Sequence, residues 1–438
     1  MSKVTVTTSH WTREAASKIQ ATPTNTIPPF DVSKLRPLMQ GYHVWDNWFV
    51  LDEEGNIASV FGFTVLIALV RPVGADSGEG ERIAYFYSED GTHYKAGGML
   101  FDEQLYKGVR EWSGSTILRS DGALQTFYTI AEGKEFNGVW QTTQRFATAI
   151  QTPSKSALGK LNIAPASYHA LLKEPDGVLY ETAEQASKRE ELLPTAHRRD
   201  IGSDQTENFC FRDPKFFKHP KTGETYILFE GNTGPKSGYP AGSVKQAYVG
   251  SSKFDPDYVP TVDDLKANGC VGVIKLTNPS YTYGTFMKPI LTSNLVTDEI
   301  ERINAFFYKG KFYLFVAAHG NKCTLVSQNA DLNNRDYLLG FVGDDLFSKL
   351  KPLNGSGVVV QQKSLGEAYG GQETNQQYVY SWLLVPTKTG FDCVSYSNYS
   401  QASDGTIQPV KTAGPTLQIE LKGDKTEITG MSYTVLAD

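Results

Sequence analysis

The chain is poor in cysteine and histidine, with four and seven among 438 residues. Cys210, Cys270, Cys323 and Cys393 make no C-x-x-C pair, and there is no H-E-x-x-H, so a zinc centre is not expected. The cysteine count allows one disulfide and favours no pairing. Long apolar runs are also missing. The longest, Phe61 to Val70, stops at Arg71 after ten residues, too short to span a bilayer and the right length for a buried strand. No excess of positive charge exists: 42 Lys+Arg stand against 48 Asp+Glu, which argues against nucleic acid or an anionic membrane as partner. The first thirty residues carry no basic segment followed by an apolar stretch, so no secretory signal is visible. A Walker loop, a G-x-S-x-G elbow and a dinucleotide fingerprint are absent as well, which sets those enzyme classes aside.

What the chain has is aromatic and β-branched residues in short runs. Phe63–Val70, Ile83–Tyr87, Leu124–Thr129, Thr225–Phe229 and Lys311–Val316 read as strands. Turn signals bound them, among them Glu54-Gly55-Asn56, Asp90-Gly91, Asp121-Gly122, Lys309-Gly310 and Asp404-Gly405. Turn-then-strand units recur along the whole length without a clean period, as the four-stranded blades of a β-propeller would produce. A sandwich would need fewer residues, and a TIM barrel would need a long helix after every strand. Helix is expected only over Thr12–Ile19 and over the charged stretch Tyr180–Leu193, with Arg198 and Arg199 beyond it as solvated charge. No Pro/Gly/Ser-rich linker divides the chain. The organisation expected is a lead-in over 1–40 and one all-β propeller domain over 41–438.

Three acidic motifs lie far apart along the chain. Asp46 stands between Trp45 and Asn47-Trp48, Asp213 between Arg212 and Pro214, and Glu299 and Glu301 precede Arg302. Indoles can pack on the C–H face of a sugar ring while carboxylates and guanidinium groups bind its hydroxyls, so together these motifs suit a saccharide site. In a strand Glu299 and Glu301 would project to the same side, and Arg302 away from them. Pro214 biases Asp213 toward extended backbone, so its segment should end or border a ladder.

The ordered set Val44-Trp-Asp46, Glu111-Trp-Ser-Gly-Ser115, Arg212-Asp-Pro214, Phe229-Glu-Gly-Asn-Thr-Gly234 and Asp298-Glu-Ile-Glu-Arg302 resembles the levansucrase/inulosucrase family, glycoside hydrolase family 68. The likeness continues through Met287-Lys-Pro289, Tyr313-Leu-Phe315, Pro352-Leu-Asn-Gly-Ser-Gly357 and Tyr380-Ser381, covering nearly the whole chain. It implies a five-bladed propeller with an axial, funnel-shaped site, and a retaining fructosyltransferase that cleaves sucrose and passes the fructosyl group to a fructan, to sucrose or to water. By the same resemblance Asp46 is the nucleophile, Asp213 the transition-state stabiliser and Glu301 the general acid/base. Trp45 and Trp112 would line the donor site and Ser113 touch the nucleophile. Arg212, Glu230, Glu299, Arg302 and Tyr380 would bind donor or acceptor hydroxyls. His319 stands where Bacillus-type members carry Arg; the resemblance links it to the site and to shorter products.

A structural calcium is a feature of Gram-positive members. Asn268 and Asp298 match its ligand positions, but Glu207 replaces an Asp and Pro240 a Gln, and proline offers a hard cation no side-chain oxygen. No calcium and no other cofactor is therefore expected. Family membership implies an extracellular monomer. A β-fructofuranosidase, an inulosucrase and a non-catalytic sugar-binding propeller are the alternatives, and linkage type is not legible.

Overall fold

The computed structural model describes residues 5–75, 80–102, 109–136, 138–192, 209–237, 245–327, 332, 335–362 and 376–438. Among these the strands form five antiparallel blades. Blade I comprises Tyr42–Asp52, Phe63–Pro72, Arg82–Ser88 and His93–Met99, and blade II Arg110–Leu118, Leu124–Phe136, Val139–Gln151 and Ala170–Lys173. Blade III runs through Phe211–Lys218, Thr225–Asn232, Gly269–Leu276 and Gly284–Thr292. Blade IV holds Glu301–Tyr308, Lys311–His319 and Asp336–Gly343, with Lys351–Pro352 and Val358–Gln361 sharing its outer edge. Blade V holds Val379–Pro386, Gly390–Ser397, Thr416–Lys422 and Lys425–Ser432. The first strand of each blade touches the first strand of the next, and that of blade V touches that of blade I, so five inner strands close a ring around one axis.

The five runs read as strands in the sequence are second or third strands of blades, flanked by β-structure on both sides. Their residues are buried on both faces, which is why Phe63–Val70 is apolar without alternation. Blades pack face to face through aromatics: Phe146 of blade II stacks on Phe211 of blade III at 4.1 Å and meets Phe229 of the same blade edge-on at 5.2 Å. Both chain ends add edge strands. Ser9–His10 pairs in parallel with blade III and Leu436–Ala437 with blade I, covering edges that would otherwise be open. Within the lead-in, Trp11 is buried and donates its indole N–H to the Ser356 carbonyl at 2.8 Å.

Helix is scarce, as read. The first is the single turn Arg13–Ala16, with Thr12 as its N-cap, and the charged one runs over Ala183–Leu192. Two short helices, Gln246–Val249 and Val262–Lys266, have no counterpart in the sequence reading. Arg198 and Arg199 lie outside the described residues. The disulfide that the cysteine count allowed does not form: all four cysteines are free and buried. Among the described residues no helix is long and apolar enough to cross a membrane.

Candidate active site

All five inner strands lose their ladder register at the same end of the axis. The shifts fall between Val44 and Asn47, Trp112 and Gly114, Arg212 and Lys215, Glu301 and Asn304, and Tyr380 and Leu383. A β-bulge turns a side chain out of the strict alternation of a strand, so each blade can aim one residue along the axis. Asp213, Arg302 and Ser381 hold φ of 58°, 53° and 54°, the left-handed region, at corresponding points of blades III, IV and V. Asp213 therefore departs from the extended backbone expected before proline. Pro214 is accommodated inside the strand because the bulge removes it from the ladder, where it has no N–H to give. In blade II the bulge needs glycine: a Cβ on Gly114 would lie 1.8 Å from the Phe127 carbonyl oxygen.

At this end lies a polar cavity of about 320 Å³, lined by Trp45, Asp46, Leu69, Arg71, Glu81, Arg110, Trp112, Ser113, Arg212, Asp213, Glu299, Glu301, Lys322 and Lys411. The three distant acids meet here. Ser113 donates its hydroxyl to Asp46 Oδ2 at 2.6 Å, which fixes the carboxylate plane. Asp213 accepts the Arg302 backbone N–H at 2.9 Å and gives its own N–H to Thr129 Oγ1 at 3.1 Å. Glu301 accepts from Arg212 Nη2 at 3.1 Å and from the Tyr380 hydroxyl at 2.6 Å.

One guanidinium serves three carboxylates. Arg212 also donates to Glu230 through Nε at 2.8 Å and to Glu299 through Nη2 at 2.8 Å. Their proton affinities diverge. Burial, then the charge of Glu299, pushes Glu301 up to about 7 against the pull of Arg212 and His319. Glu299 resists the upward push of burial because Lys322, Arg212 and His319 draw it down to about 2. Burial raises Glu230, Arg212 notwithstanding. Asp213 is also raised, by burial first, with Arg302 opposing and Asp46 reinforcing. The pocket thus presents an ionised Glu299 beside a Glu301 that holds its proton near neutrality.

A sequence profile of the Levansucrase/Invertase family matches residues 1–433. The chain belongs to this family. The levansucrase of Bacillus amyloliquefaciens is 32% identical over 458 residues, spanning 97% of this chain and 89% of that protein. The extracellular sucrase of Zymomonas mobilis is 29% identical over 436 residues, spanning 96% and 93%. The crystal structure of Bacillus subtilis levansucrase matches with a TM-score of 0.80 at 27% identity, covering 99% of this chain and 98% of that one. The resemblance carried by the motifs and the five-bladed architecture agree with this membership.

Of the residues that family resemblance assigned to sugar binding, Trp45, Trp112, Ser113, Arg212 and Glu299 line the pocket. Four stand behind its wall. Glu230 is fully buried under Arg212. Arg302 turns away, its Nη2 donating to the Asn47 carbonyl at 2.7 Å and its guanidinium lying over Trp48 at 5.7 Å. It meets the site through its backbone N–H and, from behind the wall, through the positive charge that opposes the rise of Asp213. Tyr380 and His319 reach Glu301 from the rear, their rings stacked at 4.2 Å. The joint direction of Glu299 and Glu301 does not come from alternation either, since the strand begins at Glu301; the shared guanidinium brings them together.

The cations Arg71, Arg110, Lys322 and Lys411 were missed. Arg110 lies over Trp112 at 4.8 Å, and Arg71 and Lys411 each over Trp45 at 5.9 Å, so the expected indoles carry a cationic rim. Only Arg71 left a trace in the sequence, as the charge that ends the longest apolar run.

For calcium, Asn232 Nδ2 donates to Asn268 Oδ1 at 3.0 Å and to the Asp298 carbonyl at 2.9 Å. Glu207 and Pro240 lie outside the described residues. Asn268 in turn donates its Nδ2 to Glu181 Oε2 at 3.1 Å.

Proposed function

We propose that the protein is a retaining fructosyltransferase that cleaves sucrose, releases glucose and transfers the fructosyl group to a fructan or oligosaccharide, with water as the competing acceptor. The observation that carries this reading is the convergence of Asp46, Asp213 and Glu301, from three blades, on one pocket floored by indoles and rimmed by cations.

Cleavage of the bond to the fructosyl C2 builds oxocarbenium character on the furanose ring. Glu301, protonated near neutrality, gives its proton to the departing glucose oxygen. Asp46, held by Ser113, attacks C2 and forms the covalent fructosyl-enzyme. Asp213 holds ring hydroxyls through bonds that strengthen as positive charge develops. Glu301, now a carboxylate steadied by Arg212 and Tyr380, then takes the proton of the incoming hydroxyl. Two displacements at C2 retain its configuration. Trp45 and Trp112 pack on sugar faces, and the ionised Glu299 beside Arg212 offers acceptors for hydroxyls of the donor or acceptor sugar.

Action outside the cell belongs to the same reading, because a relative is called an extracellular sucrase. The deciding experiment is incubation with sucrose, measuring free glucose and free fructose together and then the linkages of the products. An excess of glucose over fructose supports transfer. Equal release throughout makes the protein a hydrolase, and no release makes it a binding propeller.

A further inference from the structure

His319 ends the second strand of blade IV and Asp336 opens the third, in direct antiparallel register. Asp336 is fully buried, where an ionised carboxylate is costly unless opposed by charge and hydrogen bonds. Its Oδ2 lies 3.1 Å from His319 Nδ1 and accepts the Tyr378 hydroxyl at 2.9 Å, and its Oδ1 accepts the Gly320 N–H at 3.2 Å. The opposite ring nitrogen, Nε2, lies 3.5 Å from Glu301 Oε2. A neutral imidazole has one N–H, whereas an imidazolium has two. A ring with a carboxylate at each nitrogen is built for the imidazolium.

We infer that Asp336 is a positioning residue that fixes His319 as an imidazolium against Glu301, so that Glu301 is acidic enough to protonate the departing sugar. This rests on Glu301 being the proton donor. The proton affinities run the same way: burial would lower His319, but Asp336 first, then Glu301 and Glu299, raise it to about 9. The other groups facing this pair are Tyr380, stacked on the ring, Arg212 on Glu301, Asp213 and Glu230, whose carboxylates interact with Glu301, Tyr396, which feels both Glu301 and Asp336, and Lys322, whose charge acts on Glu299. Without the Asp336 charge, the largest influence holding the proton is lost and burial draws His319 toward the neutral form. Glu301 then loses a neighbouring cation and binds its proton more tightly.

The test is the pH dependence of kcat/KM for glucose release from sucrose. Asp336→Asn is expected to move the basic limb up by about 1 pH unit and lower kcat about tenfold, with KM little changed, because Asp336 is not on the pocket wall. His319→Gln should give the same shift, and the double variant no further one. A limb that stays in place in Asp336→Asn but moves in His319→Gln overturns the inference, as does additivity in the double variant. Should Asp336→Asn fail to fold, imidazole ¹⁵N shifts of the unaltered protein, assigned by comparison with His319→Gln, decide instead. Protonation of both nitrogens at pH 7.5 supports the inference and a neutral ring overturns it. Glu301→Gln, run alongside, separates the two levels. A basic limb surviving there at full rate removes Glu301 as the acid, whereas its loss together with an unmoved limb in Asp336→Asn removes Asp336 alone.

Discussion

The same five inner strands behave differently at their two ends. At the pocket end each carries a bulge, three carry a non-glycine residue at positive φ, and acids crowd around one guanidinium. At the far end the ladders run in register, from Lys215 opposite Leu228 to Lys218 opposite Thr225 and from Asn304 opposite Phe315 to Tyr308 opposite Lys311. A cavity of about 220 Å³ opens there too, but Phe216, Phe217, Phe306 and Phe307 line much of it. Of its two lysines, Lys218 is neutralised by Glu53 at 3.3 Å and Glu54 at 2.8 Å, and burial lowers the proton affinity of Lys215. One end is built for stability and the other for chemistry. Left-handed backbone outside glycine costs about 1–3 kcal/mol per residue and persists only where its surroundings over-determine it. Here the bulges brace one another across blades: Asp46 to Ser113, Asp213 to Thr129 and to the Arg302 N–H, and Arg302 to the Asn47 carbonyl.

The sharpest way to break this comparison is Asp46→Ala. Loss of a covalent nucleophile should cut kcat by roughly 10⁴-fold or more, while Tm and binding of sucrose, read by calorimetry, stay close to those of the parent. Retained turnover would return Asp46 to the status of a wall residue. The far end should respond in the opposite sense. Phe312, fully buried and 5.5 Å from the Phe307 ring, should on change to alanine cost about 3–5 kcal/mol of stability and leave KM and the pH profile of the folded fraction unaltered.

How much of this was legible in the sequence divides along the same line. Middle strands such as Phe63–Pro72 and Lys311–His319 announce themselves, because burial on both faces demands unbroken apolar runs. The inner strands do not, since their bulges break the alternation on which a strand is recognised. They were located through chemistry instead: Trp45-Asp46, Arg212-Asp213 and Glu299-Ile-Glu301 mark three of the five bulges. What stayed hidden were groups whose roles depend on another blade. Arg302 reads as a sugar-binding cation but reaches the site through its backbone N–H and its charge on Asp213, and Asp336 has no motif because its meaning comes from His319 across the ladder. Lys322 and Arg110 are ordinary surface-type residues until the ring of blades closes over the axis.

Arg212→Lys tests the electrostatic half of the contrast. An ammonium cannot reproduce the planar fork that holds Glu230, Glu299 and Glu301 together. kcat/KM should fall about 10²-fold, the size of effect seen when a transition-state donor is removed. Activity in the parent should decline as pH rises through about 7, because Glu301 must carry a proton to act as acid. Arg212 opposes the upward shift of Glu301, so its loss or retreat should carry that decline to higher pH. A profile that moves to lower pH would show that another group sets the limb.

The smallest effect tests the strain itself. Ser381 holds φ of 54°, is fully buried, and its hydroxyl finds no hydrogen-bond partner among the described residues. Glycine adopts that backbone without penalty and removes the buried hydroxyl, at a cost in unfolded-chain entropy of about 0.4–1 kcal/mol. The strain relieved, about 1–3 kcal/mol, is larger. Ser381→Gly should therefore raise Tm by a few degrees at most. If the bulge in blade V exists to hold Tyr380 against Glu301, the same change should loosen that hydroxyl and lower kcat modestly while stability rises. Stability gained with kcat untouched would mean that blade V bears its strained turn only to close the ring, and that the chemistry rests on the bulges of the other four.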